Sequence, residues 1–242
     1  MAARLFCIAI AAFWLAGVAA PTPAIGQVEP SMRAGQKYLF YLHGTYVEES
    51  GPYTVSRIYN TRYEVDNIVR AFSRKGFFVV SDFRPRNTQA GAYADRLASE
   101  VAALIQTGVP AADITVVGHS KGGLIAMMAA ARLELADLNF VLMAACSRSL
   151  RRGGYTEFVS REAQKMAGRI LFLNERRNTE AGSCREALMR AKRTVSEERV
   201  LDTGKGDGLF YKPDPAWVEP AALWALVCGR TDAPKDSGPT GC

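Results

Sequence analysis

The sequence predicts an α/β protein with a mostly parallel sheet of about six strands and helices on both faces. Two observations lead to this prediction. Short apolar runs alternate along the chain with longer amphipathic ones, which is the order expected of repeated strand–helix units. Most of the short runs are uninterrupted apolar stretches, as expected of strands that are covered on both faces.

The apolar runs predict strands at 38–42, 77–82, 114–118, 140–145, 170–173 and 200–201. Helical periodicity predicts helices at 63–75, 90–107, 121–135, 157–166, 184–192 and 215–227. Gly76 follows the first of these helices, and Gly108 and Pro110 follow the second. Glycine and proline commonly end helices, so these two helix ends are marked in the sequence itself.

The composition is that of a globular protein, because 48% of the 242 residues are hydrophobic and 22% are charged. Disordered, collagenous and coiled-coil chains differ from this balance. The length is sufficient for one α/β domain with its own core. We expect this domain at 37–228, after a lead-in at 27–36 and before an irregular C-terminal tail at 229–242.

The N-terminus predicts a signal peptide at residues 1–26. Arg4 is followed by an uncharged apolar run at 5–20, which is shorter than the ~20 residues that a membrane-spanning helix requires. Cleavage is expected after Ala20 or after Gly26. We therefore expect export to the periplasm or the medium with no stable membrane anchor after cleavage, and an uncleaved anchor is the alternative.

The charge balance gives no indication of a nucleic-acid partner. The chain has 30 Lys and Arg against 24 Asp and Glu, a formal net charge of +6. Its basic groups, Arg148 with Arg151 and Arg152, and Arg176 with Arg177, lack interleaved aromatic residues on which bases would stack. We interpret them as solvated surface.

Four cysteines remain once the predicted signal peptide, which contains Cys7, is removed: Cys146, Cys184, Cys228 and Cys242. An even number in an exported protein is compatible with two disulfides, in any of three connectivities. Free buried cysteines are the alternative. The chain has no CxxC motif and only two histidines, so no metal site is expected.

No cofactor is expected either. No strand is followed by Gly-x-Gly-x-x-Gly, and the Gly-Lys pair at 204–205 lacks the Ser or Thr of a phosphate-binding loop. We interpret residues 204–208 as a turn.

The strongest chemical signal is Gly118-His119-Ser120-Lys121-Gly122, which follows an apolar strand and precedes a helix. A serine on a sharp strand-to-helix turn has a strained backbone, and side chains two residues before and after it would collide. Glycine at both positions avoids that collision. We therefore expect Ser120 at the carboxyl edge of the sheet, above the positive end of the next helix.

A second motif lies early in the chain, where the strand 38–42 ends in His43-Gly44. With these two motifs and the strand–helix alternation, the chain resembles the α/β-hydrolase family over roughly residues 37 to 228. The resemblance implies that Ser120 is the nucleophile. It also implies that the backbone N–H of Lys121 stabilises an oxyanion together with the N–H of Gly44 or Thr45, and that a small-molecule ester or other acyl compound is the substrate or ligand.

The family also has an acid and a late histidine after the nucleophile. Both histidines of this chain, His43 and His119, precede Ser120. The loop 202–210 resembles the Gly-His-Gly loop of related small hydrolases, with Asp207 at the position of their histidine.

The position of the family acid has also changed. After the strand 170–173, the alignment places Asn178 where an aspartate is expected, and Glu175 and Glu180 are less well placed substitutes. Asp207 is a weak base for Ser120, because an unperturbed aspartate has a pKa near ~3.9.

The two histidines remain alternative bases. The side chain of His119 is expected to point away from that of Ser120 and to pack against neighbouring groups. His43 is expected to shape the oxyanion loop through hydrogen bonds.

Two hypotheses of different classes follow. The first is an exported serine hydrolase of the esterase type with impaired turnover, since removing the histidine of a serine triad lowers kcat by about 2 × 10⁶. The second is a catalytically inactive pseudo-hydrolase that acts as a binding protein.

Overall fold

A computed structural model describes residues 35–227, and its six-stranded sheet has the strand order β4-β1-β5-β6-β7-β8. All five strand pairs in this sheet are parallel, which confirms the predicted architecture. The strands are β1 (Lys37–Leu42), β4 (Phe77–Val80), β5 (Ile114–His119), β6 (Asn139–Met143), β7 (Ala167–Glu175) and β8 (Arg193–Leu201), and a separate antiparallel hairpin contains β2 (Val55–Ser56) and β3 (Thr61–Arg62).

Within the described residues, eight α-helices connect or follow these strands: α1 (Thr45–Ser50), α2 (Val65–Arg74), α3 (Ala90–Gln106), α4 (Lys121–Leu133), α5 (Arg148–Leu150), α6 (Thr156–Arg161), α7 (Arg185–Arg190) and α8 (Pro215–Val227). A π-helical segment, Arg151–Tyr155, lies between α5 and α6. Short 3₁₀ helices occur at Ala111–Asp113, Ala163–Lys165 and Gly206–Tyr211.

Alternate side chains of β1 enter two different hydrophobic clusters. Tyr38 and Phe40 belong to the cluster formed with α3 and α4, whereas Leu39 and Tyr41 belong to the cluster formed with α2 and α8. Successive side chains of a strand point to opposite faces, so helices cover the sheet on both sides. This burial explains why the central strands read as continuous apolar runs.

The parallel pairing brings several strand ends to one edge of the sheet. Leu42 of β1 pairs with Gly118 of β5, His119 with Met143 of β6, and Glu175 of β7 with Leu201 of β8. The loops that follow these strands contain most of the predicted site residues. Their proximity is therefore a consequence of strand register.

The structure corrects the prediction for the last strand. β8 spans Arg193–Leu201, whereas only 200–201 was predicted. It is an edge strand with polar residues along much of its length and no fully buried side chain. A strand of this kind lacks the apolar run by which the others were recognised.

Three further elements differ from prediction. The predicted helix 157–166 is divided into α6 and a 3₁₀ helix. The segment between β1 and α2 contains α1 and the hairpin, neither of which was predicted. The predicted turn at 204–208 leads into the 3₁₀ helix Gly206–Tyr211.

Cys146 and Cys184 form a disulfide with a Cα–Cα distance of 5.3 Å. It joins the loop after β6 to the residue that precedes α7. The other two predicted disulfide cysteines, Cys228 and Cys242, lie outside the described residues.

The predicted signal peptide at 1–26, residues 27–34 of the lead-in and the tail at 229–242 also lie outside the described residues. Within 35–227, none of the helices combines the length and apolar character needed to cross a membrane.

Candidate active site

Ser120 is the single residue between β5 and α4, and its backbone is in the left-handed region with φ of 53°. Its N–H donates a 2.8 Å hydrogen bond to the carbonyl of Met143 on β6. A Cβ on Gly118 would lie 2.4 Å from the carbonyl oxygen of Gly122, and one on Gly122 would lie 2.2 Å from that of Leu42. The crowding expected around a nucleophile elbow is therefore present on both sides of Ser120.

Two backbone N–H groups near Ser120 fit the expected oxyanion site. Lys121 is the first residue of α4 and Thr45 the first of α1, and N–H groups in a first helical turn have no partner within the helix. The N–H of Gly44 instead donates a 3.1 Å hydrogen bond to the hydroxyl of Tyr63. Thr45 is therefore better placed than Gly44 to act with Lys121.

Gly44 nevertheless allows the strand end to approach the elbow closely. A Cβ at this position would lie 2.9 Å from Nδ1 of His119 and 3.3 Å from Cβ of Ser120. Any larger residue would push the β1 loop away from Ser120.

Glu48 of α1 connects the two elements that supply these N–H groups. Its buried carboxylate accepts hydrogen bonds from Nζ of Lys121, from Nε of Arg84 at 3.4 Å and from the N–H of Thr88 at 3.1 Å. One carboxylate is thus shared by two cations. The ion pair with Lys121 fixes α1 relative to the start of α4.

His43 is fully buried, and both of its ring nitrogens have partners. Nε2 accepts the N–H of Arg84 at 2.9 Å, which places the ring proton on Nδ1, 2.9 Å from the carbonyl oxygen of Gly44. Burial and the positive charge of Arg84 lower the pKa of His43 to about 3. His43 therefore shapes the loop after β1, as expected, and has no lone pair free to act as a base for Ser120.

His119 has partners that the sequence did not predict. Its Nε2 lies 3.1 Å from Oδ1 of Asp207, and its Nδ1 lies 2.9 Å from the hydroxyl of Tyr63. The ring also packs against those of Phe210 and Tyr211, at 5.5 and 5.7 Å between centroids. The expectation of ordinary packing is thus incomplete, because His119 contacts the residue at the position of the family histidine directly.

Asp207 accepts two hydrogen bonds on the same carboxylate oxygen. Oδ1 receives Nδ2 of Asn178 at 2.7 Å in addition to the contact with His119. Oδ1 of Asn178 accepts the backbone N–H groups of Glu180 and Ala181, which orients its Nδ2 towards Asp207. The residues aligned with the family histidine and acid are therefore adjacent and hydrogen-bonded.

Glu175 has a structural role at this edge of the sheet. Its carboxylate accepts the backbone N–H groups of Arg177, Thr203, Gly204 and Gly206. Burial alone would raise the pKa of Glu175, but the N–H bonds, beginning with that of Thr203, outweigh it and lower the pKa below its usual range. Glu175 thus joins the loop of Asn178 to the loop of Asp207.

Glu180, the other suggested substitute acid, is exposed, and its side chain makes no hydrogen bond within the described residues. Of the three residues suggested for the acid position, Asn178 is the one whose side chain contacts Asp207.

Tyrosine side chains line the side of the site next to Asp207. The buried ring of Tyr211 packs against Tyr46, Tyr59 and Tyr63, with centroid distances of 5.7, 5.6 and 4.7 Å. Tyr46 and Tyr59 belong to the segment between β1 and α2 that was not predicted as structured. The sequence feature that could have indicated these aromatic contacts is the number of tyrosines in that segment.

Across residues 35–227, no three His, Cys, Asp or Glu side chains converge in an arrangement that could hold a metal ion. The hydroxyl of Ser120 also has no hydrogen-bond partner among these residues. The side chain of Asp207 is 17% exposed, so solvent can reach its carboxylate.

The parallel sheet, the glycine-flanked elbow and the adjacent loops define an α/β-hydrolase. Residues 67–196 match the family model described as the Thioesterase domain. This match covers more than half of the chain, and the protein belongs to that family. The matched range includes Ser120 and Asn178 and ends before Asp207.

Solved structures support the same fold. A putative dienelactone hydrolase from Klebsiella pneumoniae has a TM-score of 0.55 at 14% identity, with 81% of this chain and 89% of that chain covered. A monoacylglycerol lipase from Paleococcus ferrophilus has a TM-score of 0.50 at 14% identity, with 78% and 93% covered.

A lipase-esterase related protein from Clostridium acetobutylicum has a TM-score of 0.50 at 9% identity, with 78% and 94% covered. At these identities the likeness establishes the fold alone. No curated protein sequence matches the chain. Fold and family together support a hydrolase.

Proposed function

We propose that the protein is an exported serine hydrolase of the esterase type, with Ser120 as nucleophile and slow turnover of small esters or thioesters. The observation that best supports the proposal is the backbone of Ser120, which has φ of 53° between β5 and the first N–H groups of α4. A strained serine at a helix N-terminus is the arrangement required for attack on an acyl carbon.

In the first step, Oγ of Ser120 attacks the carbonyl carbon of the substrate, and the carbonyl electron pair moves to oxygen. The backbone N–H groups of Lys121 and Thr45 donate hydrogen bonds to this oxyanion. The Oγ proton passes to the carboxylate of Asp207, directly or through water. This transfer is unfavourable because an ordinary aspartate is far less basic than an imidazole.

The effect of this weak base on the rate depends on the leaving group of the substrate. The tetrahedral intermediate collapses when its bond to the leaving sulfur or oxygen breaks and the electron pair departs with that atom. A thiol has a pKa near ~8.5, so a thiolate leaves with little help from a general acid, whereas an alkoxide needs a proton. The replacement of histidine by Asp207 therefore favours thioesters and activated esters.

Deacylation requires a water molecule to lose its proton as it attacks the acyl-serine. The same weak base, Asp207, has to accept this proton, and no change of leaving group can assist the step because the leaving group is always Ser120. We therefore expect deacylation to be slower than acylation and the acyl-enzyme to accumulate.

The proposal of impaired turnover is based on the Asp207–Asn178 pair. In a serine triad, the histidine accepts the proton and the acid orients it. Here a carboxylate stands at the first position and an amide that donates to it stands at the second. The two side chains are hydrogen-bonded to each other, but a carboxylate and an amide are poorly suited to efficient proton transfer from a serine.

Export is supported by two independent features. The first is the charged start and uncharged apolar run within residues 1–26. The second is the Cys146–Cys184 disulfide, since disulfides persist in oxidising compartments.

The experiment is hydrolysis of a short activated thioester and of the matching ester by the purified protein. We expect a rapid burst followed by slow turnover, both lost in Ser120→Ala and retained in the control Ser99→Ala, which changes an exposed serine of α3. Asp207→Asn should slow acylation further. Mass spectrometry of the intact protein should detect the acyl-enzyme on wild type and Ser99→Ala and not on Ser120→Ala.

A pseudo-hydrolase that binds acyl ligands is the second candidate. It is favoured by the absence of any described hydrogen-bond partner for the Ser120 hydroxyl. Equal rates in wild type and Ser120→Ala, together with saturable binding of the uncleaved ester, would establish it instead.

A further inference from the structure

The hairpin at residues 55–62 exposes large apolar side chains. Ile58 is 85% exposed, which is the highest value for a large hydrophobic residue in the described part of the chain, and Val55 is 47% exposed. Tyr53, just before the hairpin, is 51% exposed. Single exposed apolar residues are common, but three within six positions form a local patch.

The same hairpin is basic. Arg57 and Arg62 are both exposed, and the sequence between Thr54 and Tyr63 has no acidic residue. Within the described chain, no carboxylate lies within ion-pair distance of either arginine.

The nearest acidic residues in sequence lie at the base of the hairpin and have partners of their own. Glu64 accepts a hydrogen bond from Asn67, and Asp66 accepts one from Tyr53. These donors are neutral, so both carboxylates stay charged, and they line a shallow depression together with Arg62 at the base of the hairpin. The tip therefore combines apolar groups with the positive charge of Arg57.

The hairpin is also fixed to the domain. Ser56 is buried, and the ring of Tyr59 packs edge-on against Tyr211 at 5.6 Å. A Cβ on Gly208 would lie 2.7 Å from Cβ of Tyr59, so the hairpin lies directly against the turn of Asp207. Its exposed tip consequently has a set position beside the candidate active site.

We propose that the hairpin 55–62 is a docking surface for membranes that contain anionic phospholipid. Apolar side chains enter the boundary between headgroups and acyl chains, while nearby arginines are attracted to the negative lipid surface. Ile58 and Val55 supply the first contribution, and Arg57 at the tip supplies the main part of the second.

The attachment is peripheral and reversible, because the apolar tip is small and a single weak contribution does not anchor a protein. Docking through this hairpin brings the edge of the sheet with Ser120 and Asp207 towards the lipid surface. Esters and thioesters with long acyl chains concentrate at such a surface. The proposal concerns binding alone and does not require Ser120 to turn over.

The test is co-sedimentation of the purified protein with vesicles of phosphatidylcholine alone and of phosphatidylcholine mixed with phosphatidylglycerol. We expect binding to the mixed vesicles, about fivefold weaker for Arg57→Ser and at least about tenfold weaker for Ile58→Glu. The control Met189→Glu makes the same change of charge at a residue of α7 that is 77% exposed. It should bind nearly as wild type.

Ser120→Ala should bind the mixed vesicles as wild type does, which separates this proposal from the proposed catalysis. Absence of binding to the mixed vesicles, or equal loss in Ile58→Glu and Met189→Glu, would overturn the proposal. Equal binding to both vesicle types would also overturn the proposal, because the arginines would then make no contribution to binding. A dimer that Ile58→Glu dissociates would assign the hairpin to a second copy of the chain instead.

Discussion

Nδ2 of Asn178 donates a 2.7 Å hydrogen bond to Oδ1 of Asp207, and these residues come from loops after two neighbouring parallel strands. The direction of this bond matters for chemistry. In a triad the acid accepts a hydrogen bond from the histidine ring N–H and stabilises the imidazolium that forms. Here the direction is the reverse: the amide of Asn178 donates to the carboxylate of Asp207.

Restoring the histidine should increase activity. We expect Asp207→His to raise hydrolysis of a short activated ester by about 10²-fold or more, whereas Asn178→Asp alone should have little effect, because the base matters more than the residue that orients it. The double variant should be the fastest. Burst-phase kinetics at neutral pH give the hydrolysis rates of wild type, the two single variants and the double variant. A folded Asp207→His protein with unchanged rates would show that this loop is aligned wrongly with the family.

Glu48 offers a test of the connection between α1 and the elbow. Glu48→Gln removes the buried partner of Arg84 and of Lys121, and we expect it to lower the free energy of unfolding by about 3 kcal/mol. The control Glu49→Gln changes the exposed neighbour in the same helix and should remain within about 0.5 kcal/mol of wild type. Urea denaturation measures both values. Equal stability of the two variants would contradict the role of Glu48 in connecting α1 to the elbow.

The low pKa of His43 predicts a dependence of stability on pH. Its pKa is about 3 in the folded state and 6.5 in an unperturbed side chain, so the unfolded chain binds more protons between these values. The free energy of unfolding should therefore fall as pH decreases below about 6.5, by up to about 1.4 kcal/mol per pH unit from this group.

Denaturation between about pH 5 and 6.5 isolates the effect of His43, because the carboxylates, including Glu175, titrate mainly below about pH 4.5. His43→Gln retains an acceptor for the N–H of Arg84 and should lack this part of the slope. Identical slopes in wild type and His43→Gln would show that folding does not lower the pKa of His43.

The close contact between β1 and α4 predicts opposite effects for two glycine substitutions. Gly122→Ala places a Cβ 2.2 Å from the carbonyl oxygen of Leu42, and we expect it to destabilise the protein by about 3 kcal/mol, since backbone has to move. Gly91→Ala in α3 meets only Nη2 of Arg132 at 3.7 Å. It should stabilise by about 0.5–1 kcal/mol. Thermal denaturation compares the two, and a neutral Gly122→Ala would exclude the close approach.

Most of the fold could be predicted from the sequence because the pattern that specifies each buried strand lies within the residues of that strand. β5 and β6 are buried along their whole length and therefore appear as apolar runs. The elbow could be predicted because Gly118 and Gly122 are required by contacts within a few residues of Ser120 and with the adjacent strand. Local patterns of this kind are present in a single sequence.

The site could be predicted only in part because its contacts are distant in sequence. His119 meets Asp207 across 88 positions, and no local pattern marks such a pair. Glu175 was suggested as a substitute acid because it follows a strand, but the N–H groups of Thr203, Gly204 and Gly206 bind its carboxylate. Those N–H groups come together only after β8 pairs with β7.

The position of β8 at the edge of the sheet has a consequence for partial unfolding. Asn178 follows β7 and Asp207 follows β8, whereas Ser120 depends on the central strands β1, β5 and β6. Edge strands with exposed side chains open at a lower free energy than buried central ones. In molecules where β8 has opened, the turn of Ser120 is intact while Asp207 has separated from Asn178 and His119. The amides of β8 should therefore exchange with solvent deuterium well before those of β5.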